Sequence, residues 1–294
     1  MKVIACISGR SSKGKDTLLS AIAELSFPSV IVDCSFEYNI IRSIYSEKSK
    51  TLRKLPFFRG FSFDKERCSH CRQCLEICHQ DAIDYVDGQI KYYEYRCSHC
   101  GSCIRWCPLM VMNLKEQSDI SLIISQTRVG PVIYTESLLE PSLMRDMIRY
   151  LRDQAFLTAR SKKIETILIN GSKGSNDTSI LALTGVDAVI IVVSPSIWAF
   201  EDLDHDVRLS RLSGVEPHVI LNMSGLDPDF DEQFVIYCSE KQLHLTGRIP
   251  ADKDFRQAIL GGKTILEHSP DSVASEAIRI IWTNVNEQIT RFRS

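Results

Sequence analysis

The chain has 294 residues, 44% hydrophobic and 24% charged, with a net charge of −2, enough for one large core or one core plus a small module, and too ordinary a mixture for a disordered chain. So balanced a charge offers no concentrated positive field, and neither a nucleic acid nor an anionic membrane is an expected partner. No apolar run reaches the length of a membrane span, and the opening MKVIACISGR lacks the basic segment and cleavage site of an export signal, so a cytoplasmic location is expected.

In chain order, Val3–Ile7 is an unbroken apolar run, the pattern of a strand buried on both faces of a parallel sheet. It leads into Ser8-Gly9-Arg10-Ser11-Ser12-Lys13-Gly14-Lys15-Asp16-Thr17, and a helix is expected over Lys15–Leu25. A glycine-containing turn between strand and helix offers backbone N–H groups to phosphate, and the helix N-terminus adds positive potential. Lys15 is placed to reach a β- or γ-phosphate, but Asp16 stands where such a loop ordinarily has a magnesium-binding hydroxyl. A carboxylate can itself ligate magnesium, yet it also sets negative charge beside a triphosphate. Two readings stay open: a loop that binds an adenine nucleotide, or a degenerate loop kept for its shape, with Gly9 and Gly14 as turn glycines.

After a second strand expected at Ser29–Val32 comes a cysteine-dense segment. Of eleven cysteines, eight fall between Cys68 and Cys107, and in a chain without an export signal that clustering points to metal ligation rather than disulfides. Cys68, Cys71, Cys74 and Cys78 form C-x2-C-x2-C-x3-C, and Cys97, Cys100, Cys103 and Cys107 repeat it 29 residues later. Three close thiolates cap three irons of a cubane, and in two-cluster ferredoxins the fourth ligand comes from the other run. That rule assigns one [4Fe–4S] cluster to Cys68, Cys71, Cys74 and Cys107, and the other to Cys97, Cys100, Cys103 and Cys78. A pair of zinc sites is the competing reading, but zinc would not need the third cysteine at that repeated spacing. Pro108 follows the second run as such a pattern expects, whereas His79 holds the matching place after the first. Cysteines fill every ligand position, so His70 and His99 read as solvent-side or cluster-tuning residues. Between the runs, DAIDYVDGQIKYYEY reads as a hairpin turning at Asp87-Gly88.

Beyond the module, residues 116–135 read as two strands, SLIISQ and VGPVIY. Further strands are expected at Ile164–Ile169, Ala188–Val193 and Pro217–Leu221, and helices over Leu143–Ala159, Phe200–Leu212, Asp252–Leu260 and Val273–Phe292. This alternation specifies a three-layer α/β domain with a mostly parallel sheet. The expected organisation is a discontinuous domain over 1–60 and 116–294, interrupted after its second strand by a bacterial-type ferredoxin module over 61–115.

Together these features resemble the MinD-like P-loop ATPases that contain an inserted ferredoxin domain, relatives of the nitrogenase iron protein. The family loop reads K-G-G-x-G-K-[ST]-T. Here Gly14, Lys15 and Thr17 match, while Arg10 replaces the lysine that reaches a partner's nucleotide, Ser11 and Ser12 replace glycines, and Asp16 replaces the magnesium-binding hydroxyl. The motif similar to D-C-D-x-x-x-N is Asp33-Cys34-Ser35-Phe36-Glu37-Tyr38-Asn39, with Ser35 at the water-positioning aspartate. D-x-P-P-G appears as Asn170-Gly171-Ser172-Lys173-Gly174, without its carboxylate. Asn222 corresponds to the residue that recognises adenine, and the turn Arg248-Ile249-Pro250 is intact. The resemblance implies a P-loop NTPase-like fold, two [4Fe–4S] clusters, ATP or ADP with Mg2+, and a dimer. That dimer is of the chain with itself or with an intact ferredoxin-containing paralogue.

Departures at Arg10, Asp16, Ser35 and Asn170 concentrate on the phosphate and magnesium side, which leaves the ATPase assignment open. The leading expectation is an iron–sulfur electron-transfer protein with a redox partner and weak, altered or partner-dependent hydrolysis. The alternatives are an ATP-driven reductase gating electrons through a dimer, and an assembly or carrier protein for clusters or a metallocofactor. Carriers of this fold use a close cysteine pair at the dimer interface; Cys6 and Cys34 read instead as core residues, and Cys238 is ambiguous.

Overall fold

The structure, a computed structural model, describes residues 1–36, 40–46, 48–54, 57–93, 96–97, 100–117, 120–136, 139, 141–173 and 177–293, with backbone alone at 57–62, 114–117, 141–142, 173, 177–178 and 292–293. Its strands are β1 (Lys2–Ser8), β2 (Ser29–Asp33), β3 (Ser49–Lys54), β4 (Phe57–Phe63), β5 (Ile83–Val86), β6 (Gln89–Tyr92), β7 (Met112–Gln117), β8 (Ser121–Gln126), β9 (Pro131–Tyr134), β10 (Thr166–Lys173), β11 (Ala188–Val193), β12 (His218–Ser224) and β13 (His244–Pro250). Its helices are α1 (Lys15–Leu25), α2 (Ile40–Ile44), α3 (Gln73–Glu76), α4 (Ser102–Arg105), α5 (Pro141–Lys162), α6 (Asp177–Leu183), α7 (Ala199–Leu212), α8 (Pro228–Glu240), α9 (Asp254–Leu260), α10 (Ile265–His268) and α11 (Val273–Arg293).

The chain divides into two compact units. The larger comprises Met1–Leu52, Ile123–Thr135 and Met147–Ser294; the smaller comprises Arg53–Leu122 and Glu136–Asp146. A nine-stranded sheet in the order β13-β12-β11-β1-β10-β2-β9-β8-β3 organises the larger unit. Pairing is parallel from β13 through β9 and turns antiparallel between β9 and β8. β1 lies centrally, between β10 and β11, and Val3–Ile7 are all buried, which is why its sequence carries no period-2 alternation. α11 returns an apolar stripe, Ala274, Ile278, Ile281, Val285 and Ile289, to the same core as α1, at the spacing of one helical face. The crevice at the C-terminal end of β1, opening onto α1, is where open α/β sheets bind ligands.

Some elements were not legible. β3, whose six residues are all exposed, reads SKTLRK and offers no hydrophobic pattern; it is an edge strand carrying the lysines that discourage further pairing. With α2 it lies between β2 and the cysteine runs, so the strand preceding the insertion is β3 rather than β2. β13 was missed because its burial is mixed. α8 was missed because its start is a dense acidic stretch; its N-terminus is fixed by Asp227, whose carboxylate accepts from the Phe230 amide at 3.1 Å, with Pro228 following.

The smaller unit contains the antiparallel pairs β4–β7 and β5–β6. Asp87 and Gly88 both take positive φ, 53° and 78°, the two-residue turn expected of Asp-Gly in a hairpin. Among the described residues its core cluster is Cys74, Ile83, Ile90, Val111 and Met112, with Phe63, Cys68, Cys78, Cys103 and Cys107 packed against it.

Candidate functional site

The repeated cysteine runs fold into repeated geometry. Each places its third cysteine on a four-residue helix, α3 or α4, entered through a left-handed residue, Arg72 at φ 62° and Gly101 at φ 69°. Three residues past the last cysteine of each run, Asp81 and Met110 both take φ 48°, and their amides donate to the Cys78 and Cys107 carbonyls at 3.1 Å. The tight reversals turn successive thiols inward.

Cys68, Cys71, Cys74 and Cys107 line one cavity, with Ile90, Val111 and Met112 forming apolar wall. Cys103 in turn is electrostatically coupled to Cys97, Cys78 and Cys100. The first four thiols line one cavity. Four thiolates, one for each iron, form the ligand set of a cubane. Burial, reinforced by neighbouring thiols, pushes both Cys74 and Cys103 up to about 11, so their thiolates form when iron supplies the compensating charge. The His70 amide donates to Cys68 Sγ at 3.4 Å and the Ala82 amide to Cys78 Sγ at 3.3 Å, contacts of the kind that tune cluster potentials. The His70 ring sits edge-on to Tyr85; His99 lies outside the described residues.

In the larger unit, the loop after β1 turns through Gly14, at φ 95°, into α1. A Cβ on Gly14 would lie 2.0 Å from Asn222 Nδ2, and one on Gly9 would lie 2.3 Å from Asp202 Cβ, so close approach requires both glycines. Asn222, at the end of β12, donates from Nδ2 to the Lys13 carbonyl at 2.9 Å. Beside it opens a cavity of about 350 Å3, whose lining includes Gly14, Thr17, Leu18, Asn222, Met223 and Pro250. The volume and mainly apolar wall suit a heteroaromatic base.

Lys15 is buried. Its ammonium donates to Asn170 Oδ1 and, at 2.7 Å, to the Gly171 carbonyl, and lies 3.1 Å from Asp16 Oδ1 as an ion pair without hydrogen-bond alignment. Asn170 Nδ2 donates to Asp33 Oδ1 at 3.1 Å, and the same oxygen accepts from the Ser35 amide and hydroxyl at 3.0 and 2.7 Å. Burial raises the Asp33 carboxyl above the usual aspartate range, against the lowering effect of the Ser35 hydrogen bonds and Lys15. Three of the four departing residues, Asp16, Ser35 and Asn170, are thus joined through Lys15 and Asp33. Arg10 is exposed, and Glu37, Asn39 and Gly174 lie outside the described residues.

The sequence did not reveal what the loop's own donors do. Ser11 donates from its amide and its hydroxyl to Asp202 Oδ2 at 3.3 and 2.8 Å, and the Lys13 amide donates to Ser194 Oγ at 3.0 Å. Asp202 lies in the first turn of α7. Cys6, Cys34 and Cys238 are buried, and burial pushes their thiols up to about 12, 12 and 11, the state of inert core cysteines.

The 4Fe-4S dicluster domain family matches residues 61–108. An uncharacterized protein of Methanocaldococcus jannaschii is 25% identical over 97% of both chains. The cytosolic Fe-S cluster assembly factor NBP35 of Eremothecium gossypii is 23% identical over 40% of each. Among solved structures, a chain of the MinC:MinD cell division protein complex of Aquifex aeolicus aligns over 98% of this chain and 96% of its own, with a TM-score of 0.58 and 14% identity. The MinD cell division ATPase of Pyrococcus furiosus aligns over 97% and 98%, at 0.55 and 16%. The chain has the MinD/ParA-like P-loop NTPase fold, with a ferredoxin-type iron–sulfur domain at residues 61–108.

Proposed function

We propose that this chain, an iron–sulfur dicluster domain carried on a MinD/ParA-like fold, is a two-cluster electron carrier whose scaffold keeps a purine pocket but not effective ATP hydrolysis. The observation that carries the reading is Cys107 lining the same cavity as Cys68, Cys71 and Cys74. That crossing is the ligation of a two-cluster ferredoxin. Bound clusters would supply one-electron chemistry. The chain's residues would hold them, with Cys74 and Cys103, one ligand from each set, close enough to interact electrostatically.

Weak hydrolysis is supported by the connected substitutions. Ser35 offers a hydroxyl already given to Asp33, and Asn170 an amide shared between Lys15 and Asp33, so neither supplies a carboxylate to orient an attacking water. A dimer, with itself or with a hydrolytically intact paralogue, and a redox protein partner complete the proposal. Anaerobic reconstitution should give about eight irons per chain and reversible reduction by EPR, with ATP turnover no greater than that of Lys15→Ala. Absence of a reducible [4Fe–4S] signal would sink the electron-carrier reading, and turnover well above the Lys15→Ala level would sink the hydrolytic part.

The likeness to NBP35 supports a second reading, cluster assembly. It ranks lower because the three cysteines outside the cluster runs are buried. Transfer of iron and sulfide to an apo-acceptor, with no reversible electron transfer, would reverse the order.

A further inference from the structure

The two halves of the nucleotide site differ in quality. On the base side, the cavity wall includes Leu18, Met223, Ile249, Phe255 and Ile278, an apolar surface for the faces of an aromatic ring. Asn222 gives one Nδ2 proton to the Lys13 carbonyl, and its oxygen can accept from an exocyclic amino group.

On the phosphate side part of the loop's donor set is already engaged. Ser11 gives both its amide and its hydroxyl to the Asp202 carboxylate, the Ser12 amide bonds the Gly9 carbonyl at 3.2 Å, and the Lys13 amide bonds Ser194. Lys15 is taken by Asn170, Gly171 and Asp16. Asp202 thus occupies loop donors as a built-in anion, and Asp16 places a second carboxylate beside the lysine. An incoming phosphate would have to displace these contacts and then sit against two negative charges. Magnesium fits no better. Asp16 faces Lys15, while the Asn170 amide and the Ser35 hydroxyl point at Asp33, so the residues present do not offer the free oxygen ring that a hard divalent cation requires.

We infer that the site takes an amino-bearing purine nucleoside through its base and sugar, with the phosphates contributing little and magnesium nothing. This rests on the purine-pocket half of the function proposed above and narrows it to a ligand class.

Calorimetric titration of the cluster-loaded full chain with adenosine, AMP, ADP and ATP, each with and without Mg2+, tests it. The four dissociation constants should agree within about tenfold and be unmoved by Mg2+. ATP binding more than about tenfold tighter than adenosine, or only with Mg2+, would overturn the inference while leaving the pocket reading intact. Failure of all four to bind would overturn the pocket reading as well. Inosine, with a carbonyl in place of the 6-amino group, should bind at least about tenfold more weakly than adenosine; equal binding overturns the assignment to Asn222. Asp202→Asn and Asp16→Thr should each raise the ratio of ATP to adenosine affinity about tenfold or more. A ratio unchanged in both would show that the carboxylates do not set the preference.

Discussion

At the residue scale, the cysteines and the phosphate loop were legible to different degrees. The cysteine runs announce themselves because their pattern is local: two runs of the same spacing, each turned by a left-handed residue. The crossing is the one long-range element, and it gives a sharp test. Cys107→Ser preserves side-chain shape but removes a thiolate, and should lower bound iron from about eight to about four per chain, with the cluster of Cys97, Cys100, Cys103 and Cys78 still visible by EPR. Loss of that second cluster instead, with the Cys68 set retained, would mean that each run holds its own four. The loop carries no comparable local signal. Lys15 and Asp16 can be read from the motif, but the partner of Ser11 is a carboxylate 191 positions away, and nothing in a single sequence states that contact. The four departures could be counted in the sequence; that three of them join into one network around Lys15 and Asp33 could not.

At the element scale, the apolar runs of β1, β2 and β11 gave the sheet, because full burial on two faces leaves an unmistakable pattern. The polar clamps that fix the surrounding helices left none. Arg128, between β8 and β9, forms a bidentate pair with Glu267 of α10, at 2.7 Å through Nε and 2.5 Å through Nη2, and donates to the Ile44 and Gly262 carbonyls at the ends of α2 and α9. One side chain therefore closes three helix termini onto a sheet loop. Glu267 also completes the capping box of α10 with Thr264. Arg128→Ala should cost about 2–3 kcal/mol, below the full penalty of a broken buried pair because both partners are partly exposed, as measured by denaturant unfolding. The cost should depend on pH. Burial would raise the Glu267 carboxyl, but hydrogen bonds from Arg128 and the Thr264 amide and the charge of Arg128 hold it below the usual glutamate range. A depressed acid stabilises above its unfolded pKa and loses that contribution as pH falls through its folded one. The difference between Arg128→Ala and the parent chain should therefore be full at neutral pH and shrink in the acid range below the ordinary glutamate pKa. A difference that stays constant there would assign the effect to packing against Tyr45, over whose ring Arg128 lies at 4.7 Å, rather than to the ion pair.

At the scale of the whole molecule, the two units have unequal means of standing alone. The larger one buries both faces of most of a nine-stranded sheet, with a core drawn from strands and from α1, α2, α10 and α11. The smaller has about 80 residues, a size at which a hydrophobic core alone supplies only about 3–5 kcal/mol. Among the described residues its core cluster comprises five buried side chains, one of them Cys74, and the other cysteines make much of the packing around it. When the groups that fill a core are themselves metal ligands, the free energy of binding metal becomes free energy of folding. Calorimetry of the cluster-loaded chain should then resolve two transitions, and anaerobic removal of iron by a chelator should abolish the one that hydrogen exchange maps to Arg53–Leu122. The transition of the larger unit should move by no more than about 4 °C, the shift of about 1 kcal/mol in a unit of that size. Collapse of both transitions on chelation would show that the parallel sheet depends on the clusters for stability. Survival of both would show that Ile83, Ile90, Val111 and Met112 suffice without iron.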